Sequence, residues 1–286
     1  MTRLRALLFL LLPCLFLFTA VGQQSIKPAK AAPLVIGQTF TIASKVLGET
    51  RRINVYLPTG YAESKDLRLP VLYMPDGGLA EDFLHVAGLV QVSVGNETMR
   101  PFLVVGIENT ERRRDLTGPT TNPKDKQIAL RVGGSAVFRQ FIRQELMPEV
   151  KRRYRTTAET AIVGESLAGL FVVETLLLEP DLFDTYLAFD PSLWWNNEQL
   201  VKDVSRLLDN QKGTTKTLFL ATSNEPEIVA GTQRLTEILR GKTGQRLTWH
   251  YEPMPQETHG TIYHPAALKA FRMTLKPQPK TATPAR

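Results

Sequence analysis

The chain has 286 residues, a formal charge of +7, one cysteine and four histidines. Cys14 lies in an apolar N-terminal run, so everything downstream lacks a thiol, which excludes a disulfide scaffold and thiol chemistry there; the dispersed histidines form no metal-ligand spacing. The positive charge is mild and scattered, and its one dense cluster, Arg112-Arg113-Arg114, has no interleaved aromatics, so no nucleic-acid partner is expected.

Arg3 and Arg5 precede an almost wholly apolar stretch from Ala6 to Val21, which closes on the small residues of Ala20-Val21-Gly22. A basic start, a short apolar middle and a small-residue cleavage point mark residues 1–22 as a secretory signal peptide. An uncleaved membrane anchor is the rival reading, although the run is short for a span. Cleavage would leave an exported protein, periplasmic or secreted, with no stable membrane association. Residues 23–36 read as a flexible leader rich in Gln, Lys, Pro and Ala, and residues 277–286 as a disordered Pro/Thr/Lys tail. Between them, residues 37–276 are long enough for one α/β domain.

Thr39 to Val46 and Arg52 to Leu57 alternate apolar and polar residues, as antiparallel edge strands do. Leu69 to Met74 is a buried strand ending at Asp76-Gly77-Gly78, followed by a helix from about Glu81 to Val92. Phe102 to Ile107 is a further strand, and Glu111 to Lys126 reads as a polar loop. Ser135 is expected to cap a long amphipathic helix bearing Phe138, Phe141, Ile142, Leu146, Val150 and Tyr154 on one face, kinked at Pro148. Ala161 to Val163 is a buried strand and Leu167 to Leu178 a buried helix. Tyr186 to Phe189 is a strand ending in Asp190-Pro191-Ser192. Leu200 to Leu208 and Val229 to Leu239 mark helices on either side of a strand at Thr217 to Ala221. Leu247 to Tyr251 is the last strand, and Pro265 opens the last helix. Strands and helices alternate from residue 69 onward. That implies a mostly parallel sheet with an antiparallel N-terminal edge and helices on both faces. Ligands bind such sheets beyond the carboxyl ends of the strands.

Gly164-x-Ser166-x-Ala168 falls between the strand ending at Val163 and the helix starting at Leu167. Small residues two before and two after a serine let the backbone turn sharply there, exposing the hydroxyl beside a helix N-terminus. A serine so placed needs a base. His250 lies within a strand, His85 in a helix and His264 at the start of another. His259, in the loop Glu257-Thr258-His259-Gly260 beyond the last strand, is the one placed to reach over the sheet. The base in turn needs a carboxylate from the segment between them. Glu225 comes first, just after the strand at 217–221; Asp190 and Glu227 are the alternatives. The backbone N–H groups of Leu167 and Gly78 are the candidate donors for an oxyanion. Trp194 and Trp195 are candidate walls of a substrate cleft, and Arg112 and Arg114 candidate receptors for an acidic or catecholate group.

Five ordered blocks carry a resemblance. Met74-Pro75-Asp76-Gly77-Gly78, Val105-Gly106-Ile107 running on to Thr117, Gly164-Glu165-Ser166-Leu167-Ala168-Gly169-Leu170, Asp190-Pro191-Ser192-Leu193-Trp194-Trp195 and Glu257-Thr258-His259-Gly260 resemble those of the Putative esterase family of α/β-hydrolases, its siderophore-esterase-like branch most of all. The resemblance spans roughly Gly37 to Leu275. It implies a Ser-acid-His triad falling on Ser166, Glu225 and His259, and an oxyanion hole at Gly78 and Leu167. Two departures stand out: Ala168 replaces a commoner glycine, and the segment before Glu225 lacks the glycine often found ahead of the acid. The chain is therefore expected to be an exported serine esterase acting on a small-molecule carboxylic ester through an acyl-enzyme, with no metal or cofactor. An acyltransferase of the same fold and a catalytically silent binding protein are the alternatives.

Overall fold

The computed structural model describes residues 31–209, 213–242 and 246–277. The expected signal peptide, residues 23–30 of the expected leader and residues 278–286 of the expected tail lie outside them. Among the described residues no helix is long and apolar enough to cross a membrane.

Strands β1 (Gly37–Ser44) and β2 (Glu49–Tyr56) form a hairpin. Then come β3 (Leu69–Met74), α1 (Phe83–Gly95), β4 (Leu103–Ile107) and the short helices α2 (Arg112–Leu116) and α3 (Pro123–Gln127). α4 (Ser135–Phe141) runs through a π-helical turn (Ile142–Leu146) into α5 (Met147–Arg153). The remainder alternates strictly: β5 (Thr156–Glu165), α6 (Leu167–Leu178), β6 (Thr185–Phe189), α7 (Trp195–Asp209), β7 (Lys216–Thr222), α8 (Pro226–Gly241), β8 (Leu247–Pro253) and α9 (Tyr263–Thr274). The strands form one sheet in the order β1-β2-β4-β3-β5-β6-β7-β8. β2 pairs antiparallel with both β1 and β4, and every pairing from β4 to β8 is parallel.

The period-2 alternation of the central strands sorts their side chains between two cores. On β5, Ile162 joins α4 to α8 on one face, with Phe138, Phe141, Phe171 and Leu235. Its neighbours Ala161 and Val163 turn to the other face, against α1 and α9, with Phe83, Val90 and Phe271. Both faces being covered, the central strands read as continuous apolar runs, unlike the edge hairpin. α6 is apolar all round because it is buried almost end to end.

The connections carry what the apolar pattern does not encode. Pro148 does not produce a simple kink: the chain relaxes into the π turn one residue before α5, which relieves the hydrogen bond a proline cannot donate. Ser135 is not a cap. Gly134 holds that position, and the Ser135 hydroxyl is buried without a partner while its N–H donates to the Thr117 carbonyl. The polar loop from Glu111 to Lys126 is organised as α2 and α3 and docks on α7. Asn196, Asn197 and Glu198 at the start of α7 are left-handed, with φ of 49, 53 and 61°. Three such residues in a row hold because Asp125 accepts from the Asn196 N–H at 2.8 Å and Asn196 Oδ1 accepts from the Thr121 N–H at 2.9 Å.

Candidate active site

Six segments leave the sheet at the carboxyl ends of adjacent strands and meet above it: Asp76 to Gly78 after β3, Asn109 after β4, Ser166 after β5, Asp190 after β6, Ser223 after β7 and His259 after β8. The turn at Ser166 sets the centre. Its backbone lies at φ 61° and ψ −120°, a region that ordinary residues avoid, and its N–H donates to the Phe189 carbonyl while its carbonyl accepts from the Ser192 N–H. Gly164 makes this turn possible. A Cβ there would stand 2.7 Å from the Cβ, C and O of Ala168, so the strand can approach the helix only without one.

His259 Nε2 lies 3.1 Å from Ser166 Oγ, and Nδ1 lies 2.9 Å from Asp190 Oδ2. An ionised carboxylate only accepts, so Nδ1–H donates to Asp190 and Nε2 is left to accept from the serine hydroxyl. Asp190 is fully buried; its two oxygens also accept from the Ser223 N–H and hydroxyl, each at 2.6 Å. These bonds fix the carboxylate on the ring. The hydrogen bond that Nδ1 makes to this carboxylate is the main cause that raises the His259 pKa above the ordinary imidazole value.

The carboxylate at the ring is thus Asp190, not Glu225. Glu225 and Glu227 are exposed; Glu225 occupies the N-cap position of α8 without a side-chain capping bond, forms no hydrogen bond with the imidazole, and acts on His259 only through its charge. The other histidines are elsewhere. His85 and His264 contact each other across α1 and α9 at 3.1 Å, and His250 bonds Glu252 on β8.

Leu167 is buried directly after Ser166, at the first position of α6, where N–H groups have no helical partner. Gly78 is less open than its sequence suggests, because its N–H donates to Glu81 Oε2 at 2.7 Å. Glu81 is also bound through Oε1 by the Asn109 amide at 3.0 Å, and that amide donates to Asp76 as well. Arg112 joins this network: Nε and Nη2 clamp both oxygens of Asp76, at 2.7 and 2.9 Å. Its side chain is about one-third exposed, which leaves it the cation of the site. Arg114 is engaged instead by Glu49, Glu111 and Asp115, behind which Arg51 is buried in ion pairs with the same Glu49 and Asp115. Trp195 is core, its indole N–H donating to the Gly118 carbonyl at 2.8 Å. Trp194 is half-buried and borders a surface groove with Lys202, Pro226 and Arg234.

Sequence reasoning gives no role to four members of the site. Asp76 and Asn109 lie in the ordered blocks and Glu81 outside them, and nothing in their spacing shows that the three bond one another. Glu165 was hidden as the variable residue of the serine motif. Its carboxylate stands 3.6 Å from His259 Nδ1, and burial lifts its pKa to about 7. Among the described residues, Glu165, Asp190 and His259 also form a group whose potential ligand atoms lie within 4.8 Å of one another. A cation held by all three would have to displace the hydrogen bond between His259 and Asp190.

The strand order and the convergence at the strand ends define an α/β-hydrolase fold. The sequence model of the family described as Putative esterase matches residues 44–259, and the chain belongs to that family. The ferri-bacillibactin esterase BesA of Bacillus subtilis is 30% identical over 184 residues, 57% of this chain and 62% of that protein. The siderophore triacetylfusarinine C esterase of Aspergillus fumigatus is 28% identical over 183 residues, 58% of this chain and 59% of that protein. The chain thus spans about three-fifths of the length of these curated relatives. A solved structure of an IroE-like serine hydrolase from Shewanella oneidensis superposes with a TM-score of 0.73 at 30% identity, covering 84% of this chain and 80% of that one. The siderophore hydrolase EstB of Aspergillus nidulans, at 22% identity and a TM-score of 0.74, shares the fold.

Proposed function

We propose that the protein is an exported serine esterase that cleaves carboxylic esters of siderophore type through an acyl-enzyme. The observation that carries this reading is the unbroken relay from buried Asp190 through His259 to the half-buried turn at Ser166, with bonds of 2.9 and 3.1 Å.

In this reading His259 Nε2 takes the Ser166 proton as Oγ attacks the ester carbonyl, and Asp190 stabilises the imidazolium that forms. The Leu167 N–H meets the developing oxyanion. Gly78 supplies a second donor once Glu81 swings off its N–H. The imidazolium then protonates the departing alkoxide, and water repeats the sequence on the acyl-serine. Arg112, held square by Asp76, gives an acidic or catecholate substrate a cation beside the nucleophile. Trp194 remains the candidate wall; Trp195 and Arg114 are assigned to packing and bracing.

The names of the relatives favour an iron-siderophore ester as substrate class. The test is a hydrolysis panel of aryl esters, feruloyl esters and a catecholate trilactone, with fluorophosphonate labelling alongside. The expected outcome is trilactone cleavage and labelling by the wild type, with Ser166→Ala slower by several orders of magnitude and unlabelled. A folded protein that resists the fluorophosphonate would refute the serine mechanism. Cleavage of simple aryl esters alone would refute the substrate class and leave the mechanism standing.

A further inference from the structure

We propose that Glu165 is a second carboxylate of the relay, a positioning residue that acts through His259 Nδ1 to raise the ring's basicity and to back up Asp190. The inference rests on the reading of Ser166 and His259 given above, and goes beyond it by assigning a role to the residue directly before the nucleophile.

The geometry is specific. Glu165 Oε1 lies 3.6 Å from His259 Nδ1, on the nitrogen that already donates to Asp190 at 2.9 Å. Too long for a hydrogen bond in the resting state, this separation is close enough for a strong charge interaction. The Glu165 side chain is only 18% exposed, so solvent screens it poorly. Its backbone is fixed by β5, paired with Phe189 of β6, which limits how far the carboxylate can move from the ring.

The groups around it set the direction of its effect. His259 and Arg112 favour its charged form, while burial and the carboxylates Asp190 and Asp82 oppose it, leaving the group titrating near 7. Tyr263 on α9, buried with its hydroxyl unpartnered, lies within the same field. His259 faces Asp190 first, then Glu165, with Glu225 further off, and all three carboxylates raise its pKa. Glu165 and His259 therefore compete for a proton across the pH range in which the base must be free. Even with full water-like screening, a unit charge at this separation is worth about one pKa unit on the imidazole. The same charge would support the imidazolium if the Asp190 carboxylate were lost.

The decisive measurement is the pH profile of kcat/KM on an uncharged aryl ester. Glu165→Gln, nearly isosteric, is expected to move the acidic limb about one unit lower, its midpoint read against each enzyme's own plateau at pH 9. An acidic limb that stays in place or moves up overturns the proposal, since a merely structural role would change the plateau and not the midpoint. The second arm is a double-variant cycle. Asp190→Asn and Asp190→Asn/Glu165→Gln are compared at pH 9, and the double variant is expected to lose at least tenfold more than the product of the single losses. Multiplicative losses overturn the back-up role. Fluorophosphonate labelling of each variant at pH 9 reports an intact nucleophile. Failure of the wild type to label would sink the serine mechanism itself, a result distinct from an unmoved limb.

Discussion

Asp190 holds its position through its backbone as much as through its side chain. Its φ of 41° is left-handed, a conformation in which Asp and Asn are several-fold enriched, and its N–H donates to the Ala221 carbonyl at 2.9 Å. The carboxylate is thereby turned inward, between β7 and the His259 loop. Asp190→Asn keeps that backbone preference and removes the charge, so it should fold. It is expected to lower kcat by about 10² to 10⁴, whereas Glu225→Gln should remain within about threefold. Parallel kcat measurements on the two variants, with circular dichroism to confirm folding, check this. Equal losses would return Glu225 to the relay. The sequence placed Glu225 first because it follows β7 and precedes the histidine loop in chain order. What decides between them is a backbone torsion and two bonds from Ser223, neither of which leaves a periodic trace. Ser166 and His259 were legible for the opposite reason. One sits between a recognisable strand and helix, and the other is the only histidine in a loop past the last strand.

The turn joining β5 to α6 is where element packing and chemistry coincide. Gly164 lies at the closest approach of strand and helix, and a methyl there would meet both the Ala168 backbone and its Cβ at 2.7 Å. The helix cannot retreat, because α6 is buried along almost its whole length. Gly164→Ala is therefore expected to cost about 1–3 kcal/mol of stability and to displace Ser166 Oγ from the imidazole. Thermal melts should show the loss, and kcat should fall by at least tenfold. A variant with unchanged melting and turnover would show that the turn tolerates the methyl. Apolar periodicity made the strands and helices of this layered sheet readable almost throughout, since a two-residue and a 3.6-residue repeat leave different traces. The π turn after Phe141 and the left-handed stretch at Asn196–Glu198 were not readable. The first answers a local fact, the N–H that Pro148 lacks, and the second satisfies tertiary bonds to Asp125 and Thr121.

Across the whole molecule, carboxylates pull the stability in opposite directions with pH. Glu49 is held down to about 2, chiefly by its hydrogen bond to Arg114, and it sits in the buried cluster with Arg51 and Asp115. Its folded pKa lies below its unfolded one, so its contribution is present above about 4.5 and is lost as pH falls toward 2. Glu165 has the reverse sign. Burial lifts it from 4.5 to about 7, so between those values the folded chain binds a proton that the unfolded chain has released. Stability then declines as pH rises through that window, by on the order of 3 kcal/mol, because the native state must carry a poorly solvated anion. His259, also raised, adds to the same decline as it loses its proton. Glu165→Gln removes the larger part of this cost. The variant is expected to melt several degrees above the wild type at pH 8 and within about one degree of it at pH 5, where Glu165 is protonated in the fold. Paired thermal melts at the two pH values check it. A variant that gains nothing at pH 8 would mean that the anion is well solvated in the native state. A gain confined to alkaline pH would identify the carboxylate beside the histidine as a site where stability has been given up for position.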